Sequence, residues 1–157
     1  MSTQGNKWKF LVIADDTPEF KIALRLAALR AKRVGGEVVI LRIIQPSEFQ
    51  HWVSVQDIME EEALQEAREM MDVFAQEAKE ISGLESEKVI RKGELGDVIT
   101  QFVKEDQDIH LLVLGANVEG NPGPLIEAFR ENLLSVLHLP VLVVPGNMTD
   151  DEIDKFV

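Results

Sequence analysis

Unbroken apolar runs alternate along this chain with stretches whose apolar residues recur every three or four positions. Lys9 to Ala14, Val38 to Ile44, Leu111 to Leu114 with Ile109 ahead of it, and Val141 to Val144 are the apolar runs. Runs of that length with little polar relief suit strands covered on both faces, the signature of a parallel sheet. Glu87 to Arg91 alternates polar and apolar through Val89, which predicts a further strand near a sheet edge.

The periodic stretches predict four helices. Thr17 or Asp16 can cap the first, with Pro18 in its opening turn, and Phe20, Ala23, Leu24, Ala27, Ala28 and Ala31 form an apolar face that Gly35-Gly36 ends. Asp57 opens a long helix along Met59, Ala63, Ala67, Met70, Phe74, Ala78 and Ile81, closed by Ser82-Gly83. Ser47 to Gln56, with His51 and Trp52, reads as a loop or lead-in turn. Asp97 to Lys104 is a short helix, and Leu125, Ile126, Phe129, Leu133, Leu134 and Leu137 mark the inward face of a fourth. Five strands alternating with four helices predict a three-layer α/β sandwich around a mainly parallel five-stranded sheet. Its ligand position lies outside the carboxyl ends of the strands, where the order of strands reverses. Gly115, ending the fourth run, and Asp15-Asp16-Thr17, ending the first, both open there.

Composition narrows the classes of function. The 157 residues suffice for one domain, residues 7–146, with a short extension at 1–6 and an acidic tail at 147–157. A formal net charge of −12 argues against a phosphate-tracking surface and hence against nucleic acid as a partner. Between Asp57 and Glu87 eleven acidic residues stand against Arg68 and Lys79, a net of −9, which reads as a solvated helix face. Cysteine is absent, so disulfides and thiol chemistry drop out. His51, His110 and His138 lack metal-binding spacing, and His138 near a helix end reads as a terminal cation or a packed ring. No run approaches the ~20 apolar residues of a membrane span, and the first ten residues lack an apolar signal core, so a cytoplasmic location is expected.

Asp15 and Asp16 suit either a cation site or a helix cap with its turn. In the stretch after the fourth run, Gly120 and Gly123 could build an anion nest, although their turn chemistry favours a proline-stiffened loop.

FLVIADDTPEFKIALRLAALRAKRVGGEVVILRIIQP, together with LLVLGA and LLSVLHLPVLVVPG, resembles the opening and closing units of the universal stress protein (UspA-type) family over about residues 7 to 146. The resemblance implies a Rossmann-like, adenine nucleotide alpha hydrolase-like sheet with strand order 3-2-1-4-5, and a crevice that binds adenine nucleotides in some members. The first-strand acid that contacts the nucleoside falls on Asp15, and the backbone group that contacts the base falls on Ile43. ATP or AMP with Mg²⁺ is the cofactor that such a crevice would hold. The family's phosphate pattern, Gly-x-x-Gly, nine residues, then Gly-Ser or Gly-Thr, is kept at Gly115 alone. Val118 stands at the second glycine, and the closing pair falls on Glu127-Ala128 or Ala128-Phe129.

Side chains at those positions block the close approach of backbone N–H groups to phosphate oxygens, and Glu127 adds a like charge. The resemblance therefore implies a stress-response binding or signalling module of the kind that lacks tight ATP binding and has no reaction of its own. An adenine-nucleotide sensor or weak ATPase using the Asp15/Gly115 crevice is the alternative. A third reading is a receiver-like phosphoacceptor, since VIADDTPE resembles the acidic turn of receivers, but Asp57 sits in polar surroundings and no lysine follows Val141 to Val144. Several members of the resembled family pair through the fifth strand, which implies a homodimer here.

Overall fold

The computed structural model describes residues 7–46 and 53–157. Five strands, β1 (Lys9–Ile13), β2 (Glu37–Ile44), β3 (Glu87–Lys92), β4 (Ile109–Ala116) and β5 (Val141–Pro145), form one sheet in the order β3-β2-β1-β4-β5. Every neighbouring pair is parallel. This is the α/β architecture and strand order expected, and it puts β1 and β4 side by side at the reversal of strand order.

Within the sheet, β1, β2 and the centre of β4 are buried on both faces, which explains their unbroken apolar runs. In contrast β5, expected to be covered in the same way, leaves Leu142 and Val143 exposed because it stands at the sheet edge. One face carries Phe10, Val12, Val38 and Ile40 against α1 (Pro18–Val34) and α2 (Val53–Ser82). The other carries Leu11, Val39, Leu41 and Leu112 against α3 (Leu95–Glu105) and the segment from α4 (Pro124–Ala128) to α5 (Leu134–Leu137). In α1, Ala23, Ala27, Ala28 and Ala31 are all buried, so the helix axis can lie close to the strands. Thr17 accepts a hydrogen bond from Phe20 N at 3.3 Å, Pro18 occupies the first turn, and Gly35 closes the helix in the left-handed region at φ 70°.

Three further expectations change in the structure. α2 starts at Val53, four residues before Asp57, so part of the expected lead-in loop is helical; His51 and Trp52 lie outside the described residues. Along α2 it is Met71 that is fully buried beside Ala67, Phe74 and Ala78, whereas Met70 is only partly covered. The single helix expected over Leu125 to Leu137 is broken by a π-helical turn at Phe129–Leu133. A π turn carries an extra residue, which rotates the turn after it. Leu133 and Leu137 therefore face the sheet, while Leu134, expected inward, is exposed. His138 ends the segment as a left-handed cap at φ 49°.

The tail is docked rather than solvated. Thr149 and Glu152 form a reciprocal capping box that starts α6 (Asp150–Asp154), and hydrogen bonds from Thr149 hold the Glu152 carboxyl below the usual carboxylate range. Ile153 is buried against α1, and Arg25 grips Asp154 with two contacts of 3.0 and 3.1 Å. At the opposite end of the sheet Lys9 joins β1 to Asp106 at 2.7 Å and to Glu87 at 3.3 Å. The Asp106 hydrogen bond is the main cause of its pKa standing above the ordinary 10.5.

Candidate functional site

The turn after β1 is organised by one carboxylate. Asp15 accepts hydrogen bonds from the Thr17 backbone N–H at 3.1 Å and from the Thr17 hydroxyl. Asp15 thereby shapes the turn and positions the hydroxyl that caps α1, an Asx-turn followed by an N-cap. Of the two readings of this acidic turn, the geometry realises the capping one. Among the described residues no group of three acidic or histidine side chains is arranged to hold a metal ion.

The loop after β4 is stiffened in the same way. Asn117 accepts from Glu119 N at 3.0 Å, Asn121 accepts from Gly123 N at 2.8 Å, and Asn117 N reaches the Pro122 carbonyl at 3.3 Å. Amides used for turns in this way do not converge on an outside anion, so the proline-stiffened loop is what forms.

Asp15 and Gly115 line one crevice of about 120 Å³ together with Thr17, Glu19, Asn117 and Asn121. Among the described residues no cation lines it. The other four positions singled out in the sequence lie elsewhere. Ile43 is buried, and its carbonyl accepts from the Arg42 guanidinium at 2.7 Å. Val118 is half exposed on the loop. Ala128 packs against the α3 face of the sheet with Phe129, so the positions where a glycine and hydroxyl would stand are given over to packing. Glu127 pairs with Arg130 at 3.3 Å, a cation one helical turn on, which reduces the like-charge effect expected of it.

Sequence reasoning missed the residue that shapes this crevice, Glu19. The first turn of α1 crosses the ends of β4 and β5 so closely that a Cβ on Gly115 would run into the Glu19 backbone carbonyl. A Cβ on Gly146 would meet Glu19 Cγ and approach the Ala116 carbonyl to 2.8 Å. Gly115 thus serves the approach of a helix to the sheet. The available signal was a glycine directly after two adjacent buried runs, which marks a place where another backbone comes near.

Comparison with known proteins agrees with the fold. A model of the universal stress protein family matches residues 9–145. The structure is similar to a universal stress protein UspA from Lactobacillus plantarum, at 19% identity, a TM-score of 0.69, and coverage of 87% of this chain and 97% of that one. It is also similar to the universal stress protein from Archaeoglobus fulgidus in complex with dAMP, at 19% identity, a TM-score of 0.58, and coverage of 87% and 96%. A universal stress protein family protein from Arabidopsis thaliana with AMP bound gives 20% identity, a TM-score of 0.61, and coverage of 89% and 92%. No curated protein matches the chain significantly in sequence. The receiver reading gives way to these matches, and Asp57 falls inside α2 rather than at a strand end. With nearly all of its sheet and crossover helices inside the matched span, the chain belongs to the universal stress protein family.

Proposed function

We propose that this universal stress protein domain acts as a stress-response binding or signalling module whose crevice does not hold ATP tightly and which catalyses no reaction of its own. The observation that carries the reading is the closeness of Glu19 to Gly115 and Gly146, in a crevice of about 120 Å³ lined by no cation among the described residues. Ligand pockets generally run from ~300 Å³ upward, so the crevice is small for an adenine nucleotide. A phosphate brought to ~4 Å from a carboxylate would meet about 4 kcal/mol of repulsion at an effective dielectric of ~20. That is roughly a thousandfold in affinity before screening.

A nucleotide sensor or weak ATPase is the second reading, favoured by the AMP-bound and dAMP-bound relatives and by Asp15 and Gly115 sharing one crevice. Titration of the chain with a fluorescent ATP analogue and Mg²⁺ separates the two. The expected outcome is no saturation at micromolar concentrations. Micromolar binding that disappears in Asp15→Ala reverses the reading in favour of the sensor.

The module works as a homodimer through β5. That strand lies at the sheet edge, pairs only with β4 among the described strands, and leaves Leu142 and Val143 exposed. An apolar edge of this kind is usually covered, and antiparallel pairing with its twin about a twofold axis is the economical way to do so. The tail does not take that role, since it packs on α1. Light scattering at micromolar concentrations should give twice the chain mass for the native protein and the chain mass for Val143→Lys. A native monomer would remove the dimer from the proposal.

A further inference from the structure

A second cavity, on the α1 face of the sheet, is separate from the crevice and adjoins the β5 edge. It is a groove of about 530 Å³, within the usual range of ligand pockets and several times the crevice volume. Leu26 lines it from α1, Leu142 and Val144 from β5, and Met148, Ile153 and Phe156 from the tail. The family match stops at residue 145, so half of these side chains come from the segment that follows the matched span.

Among the described residues one cation lines this apolar groove. Arg30 is half-buried and has no ion pair among the described residues, whereas Arg25 on the same helix is held by Asp154 and Arg33 donates to the Val157 carbonyl at 2.9 Å. Helix α1 is a basic ridge on an acidic protein, carrying Lys21, Arg25, Arg30, Lys32 and Arg33 against Glu19 alone. A guanidinium partly withdrawn from water without a carboxylate is matched by a ligand that brings one.

The polarity of the groove runs along its length. Helix α1 descends antiparallel to the strands, so Arg30 near its carboxyl end lies level with Leu111 at the start of β4, and Pro145 marks the opposite end. Pro145 pairs with Ala116, and the rise from Leu111 to Ala116 is roughly 16 Å at ~3.3 Å per residue. A ladder formed through the β5 backbone would leave Leu142 and Val144 in place, because their side chains point to the α1 face and not along the edge.

We propose that this groove binds a single free fatty acid of medium chain length, the acyl chain lying along Leu142 and Val144 and the carboxylate on Arg30. The proposal is independent of the crevice reading. The full chain is titrated with dodecanoate labelled with ¹³C at its carboxyl carbon and observed by NMR, with dodecanol as the head-group control. The expected result is saturable binding of one dodecanoate per chain, tighter than dodecanol. Arg30→Gln should weaken dodecanoate about tenfold, the loss of one charge-assisted contact, and leave dodecanol unchanged. Leu142→Asp should remove both, with circular dichroism confirming that each variant is folded. No saturation below the micellar range, or equal affinity for the two head groups, overturns the proposal. So does a groove whose signals move with protein concentration and not with dodecanoate, since it is then filled by a second copy.

Discussion

Gly115→Val is expected to destabilise the domain by about 3 kcal/mol, the upper part of the usual range for overpacking a core. The reason is that the first atom added meets a backbone carbonyl, that of Glu19, and a backbone cannot swing aside as a side-chain end can. Helix α1 would have to rise from the ends of β4 and β5, and its buried alanines would lose contact with the sheet. The measurement is a urea titration, in which the midpoint should fall while the slope stays near the native value. A stability within 0.5 kcal/mol of native, the range of ordinary surface changes, would mean that the glycine is kept for something other than helix approach, with phosphate contact the first candidate. Glu19→Ala in the Gly115→Val background should recover little, because the clash is with main chain.

Phe74→Ala should cost about 3 to 5 kcal/mol, a large part of the ~5 to 15 kcal/mol that holds a typical domain together. Phe74 is buried, and its ring packs against Phe20 with centroids 4.6 Å apart at 58°. That tilted pair joins α2 to α1 where α1 is already committed to the sheet. Removing it leaves a cavity between two helices whose neighbours, Met71 and Ala78, are themselves buried. The comparison that isolates the effect is Met70→Ala against Met71→Ala. The sequence pattern points to Met70, but only Met71 is fully covered, and the Met71 change should cost about 2 to 5 kcal/mol, with the Met70 change well below it. Equal losses at the two methionines would show that α2 does not dock on the face described.

The docked tail shows why a charged segment can be misread. Asp150, Asp151, Glu152 and Asp154 look like solvated charge in one dimension. Thr149 and Glu152 turn that charge into a helix start, and Asp154 finds Arg25 from a helix over a hundred residues earlier. The apolar residues among them, Met148, Ile153 and Phe156, then reach the groove beside β5. Nothing local announces that Arg25 and Asp154 meet.

What the sequence by itself determined was the set of elements and their order: unbroken apolar runs, helices with periodic apolar faces, and glycine and proline at the joints. Those features are local and periodic, so they are legible in one dimension, and with them came the parallel sheet, the edge position of β3 and the place where Asp15 and Gly115 meet. The tertiary structure alone decided what that place contains. Which atom stands above Gly115, which cation answers Asp154, and which way Leu134 turns after a π turn are set by contacts between distant segments. Such contacts depend on ångström-scale distances between helix and strand ends, and the spacing of residue types along the chain carries no record of them.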